Sequence, residues 1–462
     1  MGFCQAMGVG FANRRSPRVD QEPSTSYVEA GAALTRFGIP TEPTHVMDLV
    51  TELLRVCAAG RVELKRLASV RGAKIHMELK ELQARYLAAL GEPGSAGPPK
   101  LTSMQLAVLQ EVEVSGFSEL LRARALSKAL EEFYSPRTLR DYWFNRWCPN
   151  NGDVRTLRAG DVIPAFNAVD QLGTRGRSSA PDELEFRPDW LTSLRLLPDG
   201  LWFDVDLCNH LNCNEFPYRK SIVFGAALPN PHAIGSPGCE VEVKAIGGFF
   251  THIGPNNETL QRDRFERLIA FAQAEPKVDV LVFPELSSPS TLPTFGQTQP
   301  MVTVWGSLLE SIGSDLVINR AAVELAGERT HRLHEKLTHF RTKTDWESHT
   351  SSRPRLQILA VRDFSICALI CKDAFDSDVL KCLETFGVCL ILVPALSHKS
   401  DPFMRALNHL KTSAQSIVFV VNNCSYGTDA CAAMLSVPDP GAIPDFRLSS
   451  PQAMLARYQY VP

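Results

Sequence analysis

The chain is 462 residues long and 44% hydrophobic, and its 48 Lys and Arg stand against 51 Asp and Glu for a formal net charge of −3. That length allows two or three domains with cores of their own, and the composition is that of a globular chain. The near balance of charge implies neither a polybasic nor a polyacidic partner. Twelve cysteines would suit a disulfide scaffold in a short secreted protein. Here they are dilute, many stand inside apolar runs, and the N-terminus lacks the charged, apolar, small-residue order of a signal peptide. A reducing, cytoplasmic location is expected. The longest apolar runs, such as Val388 to Val393, fall far short of the roughly 20 residues that span a bilayer, so no membrane is expected among the partners.

Residues 1–25, rich in Arg, Ser and Pro, read as a flexible lead. Met1-Gly2-Phe3-Cys4 has the outline of an acylated start, but Ala6 stands where Ser or Thr is wanted. Residues 26–150 read as a helical domain or extension. From Thr44 to Leu90 apolar residues return at three- and four-residue steps, as in Val46, Leu49, Val50, Leu53 and Leu54, which predicts one or two long helices. Gly91-Glu92-Pro93-Gly94-Ser95-Ala96-Gly97-Pro98-Pro99 then breaks them as a linker, and early proteolysis is expected at 91–100. Leu101 to Phe133 is helical again, and Ser135-Pro136 supplies a cap and a first-turn proline for a helix from Arg137 to Trp147. Arg137, Arg140, Arg146, Tyr142, Trp143 and Trp147 in that helix could in principle touch phosphates and bases. Amphipathic helices bury aromatics and expose arginines in any case, so no nucleic-acid partner is expected. The sequence contains no internal repeat.

Residues 151–216 form a connecting segment of unclear structure, with Pro, Gly and Asp scattered through it. Cys208-Asn209-His210-Leu211-Asn212-Cys213 invites a metal reading. A structural zinc needs about four N or S ligands, and only the scattered Cys148, His232 and Cys239 could complete the set. Ordinary free cysteines are the expectation, with no metal and no cofactor.

Residues 217–462 read as one α/β unit, expected to resist proteolysis as a whole. Ile222 to Leu228 predicts a buried strand, Asn257 to Ala274 a helix, and Val280 to Phe283 another strand. A further helix is predicted over about 301–311, and strands begin again at Asp315-Leu316-Val317-Ile318. Asp376 to Phe386 reads as helix, Val388 to Val393 as strand, Met404 to Ser416 as helix and Ile417 to Val421 as strand. The alternation argues for an α/β fold with buried strands. Periodicity alone does not separate a sandwich from a doubly wound sheet.

Three short pieces organise this unit: Val280-Leu281-Val282-Phe283-Pro284-Glu285, His334-Glu335-Lys336-Leu337-Thr338-His339-Phe340, and Ile370-Cys371-Lys372-Asp373. Pro284 cannot continue a central ladder, so Glu285 should project where a sheet stops. Ile366 to Ile370 gives way to a polar turn in the same manner, which puts Cys371 at a strand end as well. The pieces resemble the nitrilase, or carbon-nitrogen hydrolase, superfamily, in which a Glu follows a hydrophobic strand in a Pro-Glu step, a Lys stands in a middle motif, and a nucleophilic Cys is followed two residues later by an acid. The match falls on Glu285, Lys336, Cys371 and Asp373 and extends over about residues 217–462. Weaker echoes follow in Leu392-Val393-Pro394-Ala395 and Val418-Phe419-Val420-Val421-Asn422-Asn423. The resemblance implies a four-layer αββα sandwich, preceded here by the mostly helical N-terminal region, and a homo-oligomer.

The chemistry of such a trio can be argued from the side chains. A free thiol has a pKa of about 8.5, so little of it is thiolate at neutral pH. A carboxylate within hydrogen-bond reach can take the thiol proton and return it to a departing amine. An ammonium beside the thiol favours thiolate and can hold an oxyanion, with the backbone N–H of Lys372 as a second donor. Glu285, Lys336 and Cys371 are the residues expected to act on a small amide, carbamoyl or nitrile substrate through a thioester. The family tends to have a second Glu that orients the Lys, and Glu347 is the only glutamate between 336 and 371. Lys372 stands where the family usually has an aromatic and hints at an anionic substrate; Thr338 stands where it often has a His, with His339 one place later. The alternative is a nitrilase-like shell kept as a binding or assembly module, with a protein partner on the helical N-terminal region.

Overall fold

The computed structural model describes residues 38–64, 66, 73–91, 99–112, 118–166, 191–210, 222–228, 242–246, 249–253, 258–274, 277–288, 292, 300–312, 316–326, 332–339, 346–347, 354–361, 364–397, 401–422, 433–437, 446–448 and 455–460. The expected lead, most of the linker and Asn423 lie outside these residues.

Two sheets carry the fold. The first has six strands in the order 332–335, 316–325, 302–312, 280–282, 222–227, 455–460. Its three central strands are parallel, Val280–Val282 lying between Ile222–Ala227 and Val302–Ile312. The second has eight strands in the order 446–448, 433–436, 417–422, 390–395, 364–368, 355–361, 204–209, 154–157. In the first sheet the period-two alternation separates two faces. Phe224, Ala226, Val280, Val282, Val302 and Val304 belong to the large core shared with the second sheet. Val223, Ala227, Leu281, Phe283 and Trp305 face the other way, onto Phe265, Leu268, Ile269 and Ala272 of helix Glu258–Gln273. Phe224 and Phe419 meet across the two sheets with ring centroids 5.3 Å apart.

Helices Ser377–Phe386 and Asp401–Ser413 cover the outer face of the second sheet, burying Val379, Leu383, Phe386, Phe403, Leu407 and Leu410. The layers are therefore helix, sheet, sheet, helices: a four-layer αββα sandwich, as the motifs implied.

One predicted element is overturned. Residues 301–311 do not form a helix; Val302–Ile312 is an 11-residue strand. Its pairing with Leu316–Leu325 shifts register between Val304 and Ser307. The extra residue of this bulge puts the two halves of the strand out of phase. Apolar Met301, Val304, Trp305, Leu308 and Leu309 then fall at three- and four-residue steps, a helical spacing produced by an interrupted alternation.

The N-terminal region is helical, with Val46–Ala59, Ala73–Leu90, Ser103–Glu111, Glu119–Tyr134 and Pro136–Trp147. Local chemistry sets their starts. Thr102 and Gln105 form a reciprocal capping box, and Ser135 caps the helix that Pro136 opens. This region is not a detached appendage. Val154–Leu157 and Asp204–Asn209, inside the expected connecting segment, extend the second sheet through the parallel pairing of Asp204–Asn209 with Arg355–Val361. The hairpin of Val162–Pro164 and Leu194–Leu196 joins the helices to the end of helix Ser377–Phe386. Trp143 Nε1 donates to Val162 O at 2.7 Å, Arg195 Nη1 donates to Glu384 O and Thr385 O, and Phe166 N donates to Phe386 O. Gly387, at φ 62°, lies so close to Phe166 O that a side chain there would collide with it. Among the described residues no helix is long and apolar enough to cross a membrane.

Candidate active site

Glu285 sits just past the central strand of the first sheet. Phe283 N makes the last ladder bond, to Val304 O at 2.8 Å, and Pro284 has no N–H to continue it. The chain turns through Leu286 at φ 57°, a left-handed conformation uncommon for a residue with a Cβ. Ser287 Oγ donates to Pro284 O at 2.6 Å and Leu286 N donates to Ser307 Oγ at 3.0 Å, which ties the turn to the bulge of the neighbouring strand. Gly306 in that bulge has φ 77°, and a Cβ there would press on Pro284 O and Ser287 Oγ.

Lys336 follows strand Arg332–Glu335, its N–H donating to Asn319 O at 2.8 Å. Its Nζ donates to Glu285 Oε1 at 2.8 Å, and both side chains are almost wholly buried, at 2% and 3% exposure. Desolvating such a pair is costly unless further hydrogen bonds hold it. Asn319 supplies one, donating from Nδ2 to the same Oε1 at 3.1 Å.

Cys371 comes from the other sheet. Strand Phe364–Ala368 ends, Leu369 N donates to Leu392 O, and Cys371 opens the 3-10 turn Cys371–Phe375 with φ 47°. Cys371 thus stands at a strained strand-to-turn corner, and sparsely populated backbone geometry of this kind often concentrates at functional sites. Cys371 Sγ lies 3.8 Å from Leu396 O. Burial pushes its thiol well above the ordinary range, the charge of Glu285 and a hydrogen bond with it push the same way, and Lys336 opposes them. At neutral pH the thiol therefore keeps its proton, beside the close Glu285–Lys336 contact.

Asp373 locks the two halves together. Its Oδ1 accepts from Leu337 N at 3.0 Å and Thr338 N at 2.7 Å, its Oδ2 accepts from Ile370 N at 3.2 Å, and it is wholly buried. One carboxylate thereby fixes the loop after Lys336 against the loop before Cys371.

The residues expected in the site fall as follows. Glu285, Lys336 and Cys371 converge. Lys372 directs its Nζ to His339 O at 2.8 Å, so its ammonium clamps the Lys336 loop to the Cys371 loop, and the hint of an anionic substrate loses its support. Glu347 belongs to strand Trp346–Glu347, paired with Phe249–Ile253 in a separate three-stranded sheet, and its side chain lies outside the described set. Cys208 is buried in strand Asp204–Asn209, while Cys213, His232 and Cys239 lie outside the described residues. Among those described, no cluster of His, Cys, Asp or Glu is placed to hold a metal ion. Trp143 is fully buried and the Arg155 guanidinium lies 5.1 Å from the Trp147 ring, so aromatics of helix Pro136–Trp147 are used in packing.

No family model matches the sequence, and no curated protein matches it. Solved structures do resemble it. An amidase from Nesterenkonia sp. has a TM-score of 0.37 at 13% identity, over 53% of this chain and 92% of the amidase. A Saccharomyces cerevisiae protein of branch 10 of the nitrilase superfamily has a TM-score of 0.36 at 11% identity, over 52% of this chain and 90% of that one. The glutamine-dependent NAD+ synthetase from Acinetobacter baumannii has a TM-score of 0.35 at 16% identity, over 52% of this chain and 45% of the synthetase. Nitrilase-superfamily structures are thus among those it resembles. Likeness at this level carries no activity with it, and what this chain can do follows from its own side chains.

Asn319 is the member that the motifs did not reveal. A signal for it exists: an amide inside the apolar strand run Leu316-Val317-Ile318, where a buried strand has no other reason for a polar side chain.

Proposed function

We propose that this chain is a nitrilase-type thiol hydrolase of non-peptide carbon-nitrogen bonds, with an amide, carbamoyl or nitrile carbon as the electrophile. The observation that carries the reading is the buried side chain of Glu285, hydrogen-bonded to Lys336 and close enough for its charge to act on the buried Cys371 thiol. As Sγ attacks the carbon, the S–H proton passes to Glu285, the S–C bond forms and the C=O π electrons move onto oxygen. Lys336, no longer facing a carboxylate charge, stabilises that oxyanion together with the backbone N–H of Lys372. The tetrahedral intermediate collapses by breaking C–N, and Glu285 returns the proton to the departing nitrogen. Water then attacks the thioester carbon, giving its proton to Glu285; the acid leaves and Cys371 recovers the proton. A nitrile enters the same cycle through a thioimidate and one additional water. Glu347 is proposed, as the sequence suggests, to orient Lys336.

The decisive experiment is alkylation of the folded protein with iodoacetamide, resolved peptide by peptide across its twelve cysteines. Cys371 should label ahead of the other cysteines, and its advantage should shrink in Lys336→Met. With a panel of small amides and nitriles, Cys371→Ala should abolish turnover, and Glu285→Gln should reduce it by the ~10²–10⁴ of general acid-base catalysis. Labelling of Cys371 no faster than the other cysteines, in both proteins, would replace the enzyme by the binding-module reading.

A further inference from the structure

Asn319 touches both partners of the buried ion pair. From strand Leu316–Leu325 its backbone oxygen accepts the N–H of Lys336 at 2.8 Å, and its Nδ2 donates to Glu285 Oε1 at 3.1 Å. The residue is wholly buried, and its Oδ1 has no hydrogen-bond partner among the described residues. A position that only needed filling would be better served by an aliphatic side chain like those of Val317 and Ile318, with no carbonyl oxygen to desolvate. Buried polar atoms without a hydrogen-bond partner among the described residues recur on either side of Lys336, at His334 Nδ1 and at Thr338 Oγ1. Such atoms need an explanation, and a catalytic role is one of the few available.

We propose that Asn319 is a positioning residue that holds Glu285 Oε1 in place, so that the proton exchanged with Cys371 is carried on Oε2 throughout the cycle. This rests on the hydrolase reading above. In the resting site the ammonium of Lys336 alone could orient the carboxylate. Once Glu285 takes the thiol proton, the S–H bond has broken, an O–H bond has formed and the carboxylate charge has gone. The attraction that oriented the group weakens at the moment when the new acid must stay aimed at the reacting carbon. A neutral amide donor has no such dependence on charge. Its N–H bonds to a carboxylate oxygen before the transfer and to the carbonyl oxygen of the acid after it, so the O–H remains aimed until it is delivered to the leaving nitrogen.

The test follows iodoacetamide labelling of Cys371 as a function of pH in the wild type, Glu285→Gln, Asn319→Leu and Asn319→Asp, alongside the thermal midpoint of each. Asn319→Leu removes the donor, and Asn319→Asp keeps the shape while replacing the donor with an acceptor, so it carries the test if the leucine variant does not fold. Both are expected to label Cys371 about tenfold or more slowly than the wild type near pH 7, as expected for weakened general-base assistance. Their pH profiles should take the shape of that of Glu285→Gln. A merely structural residue would change the thermal midpoint and leave the profile of the folded protein where it was. If Glu285→Gln is slow but a folded Asn319 variant keeps the wild-type profile, this proposal falls and the hydrolase reading stands. If wild-type Cys371 labels no faster than the other cysteines, both fall together.

Discussion

Asp373 shows how much one side chain can organise. It is an acid two residues after a candidate nucleophile, a position that suggests chemistry, yet its oxygens are occupied by the backbone N–H groups of Leu337, Thr338 and Ile370. Its task is geometric. It holds two loops from different sheets at a spacing that lets Lys336 reach Glu285 beside Cys371. Removing the carboxylate strands three donors in the core. Since each unsatisfied buried group costs about 1–3 kcal/mol, Asp373→Ala should lose about 3 kcal/mol or more of unfolding free energy in urea. Asp373→Asn, which keeps one acceptor oxygen, should lose less. Equal stability of wild type and Asp373→Ala would show that the loops find other partners.

Among the elements, strand Val302–Ile312 positions the site most directly. Its bulge brings Ser307 Oγ to the N–H of Leu286, and Gly306 lets the Glu285 turn lie against it. Only a residue without Cβ suits φ 77° beside Pro284 O. Gly306→Ala should therefore combine backbone strain of about 1–3 kcal/mol with displacement of the Glu285 turn. Two readouts are expected to move together: a lower urea midpoint and slower labelling of Cys371. A variant that loses stability but labels at the wild-type rate would separate the bulge from the site.

For the whole molecule, the second sheet sets the limits of the folding unit. A fragment of residues 217–462 would lack strands 154–157 and 204–209 and would expose the edge of strand Arg355–Val361, with its buried Leu356 and Ile358. Unpaired apolar edges invite aggregation. Limited proteolysis is accordingly expected to leave a protected fragment that begins before Val154; a stable core starting near residue 217 would contradict this. Alkaline pH should also weaken the fold. Burial raises the Cys148 thiol from 9.0 to about 11 and Cys208 to about 12, and pushes Cys367 and Cys382 up as well. Folded thiols then keep protons that the unfolded chain gives up. Their contribution is whole below about pH 9 and drains away as pH rises through 11 and 12, because stability falls wherever the unfolded state binds fewer protons. Urea midpoints measured from pH 8 to 11 should decline above about 9.

The sequence by itself determined the local facts. Apolar runs closed by Pro284 and by the Cys371-Lys372-Asp373 turn located two strand ends and the reactive groups on them, because a ladder cannot pass a proline and a buried strand cannot hold a polar turn. Caps and periodicity placed most helices for the same reason: those signals act within a few residues. Only the tertiary structure decided the rest. The bulge in Val302–Ile312 disguised a strand as a helix, and its register is set by a partner strand. The amide of Asn319 acquires meaning only from a carboxylate 34 positions earlier. Strands 154–157 and 204–209 carry too little pattern to declare their sheet, since strands at the margin of a sheet are chosen by the surface they complete and not by their own side chains.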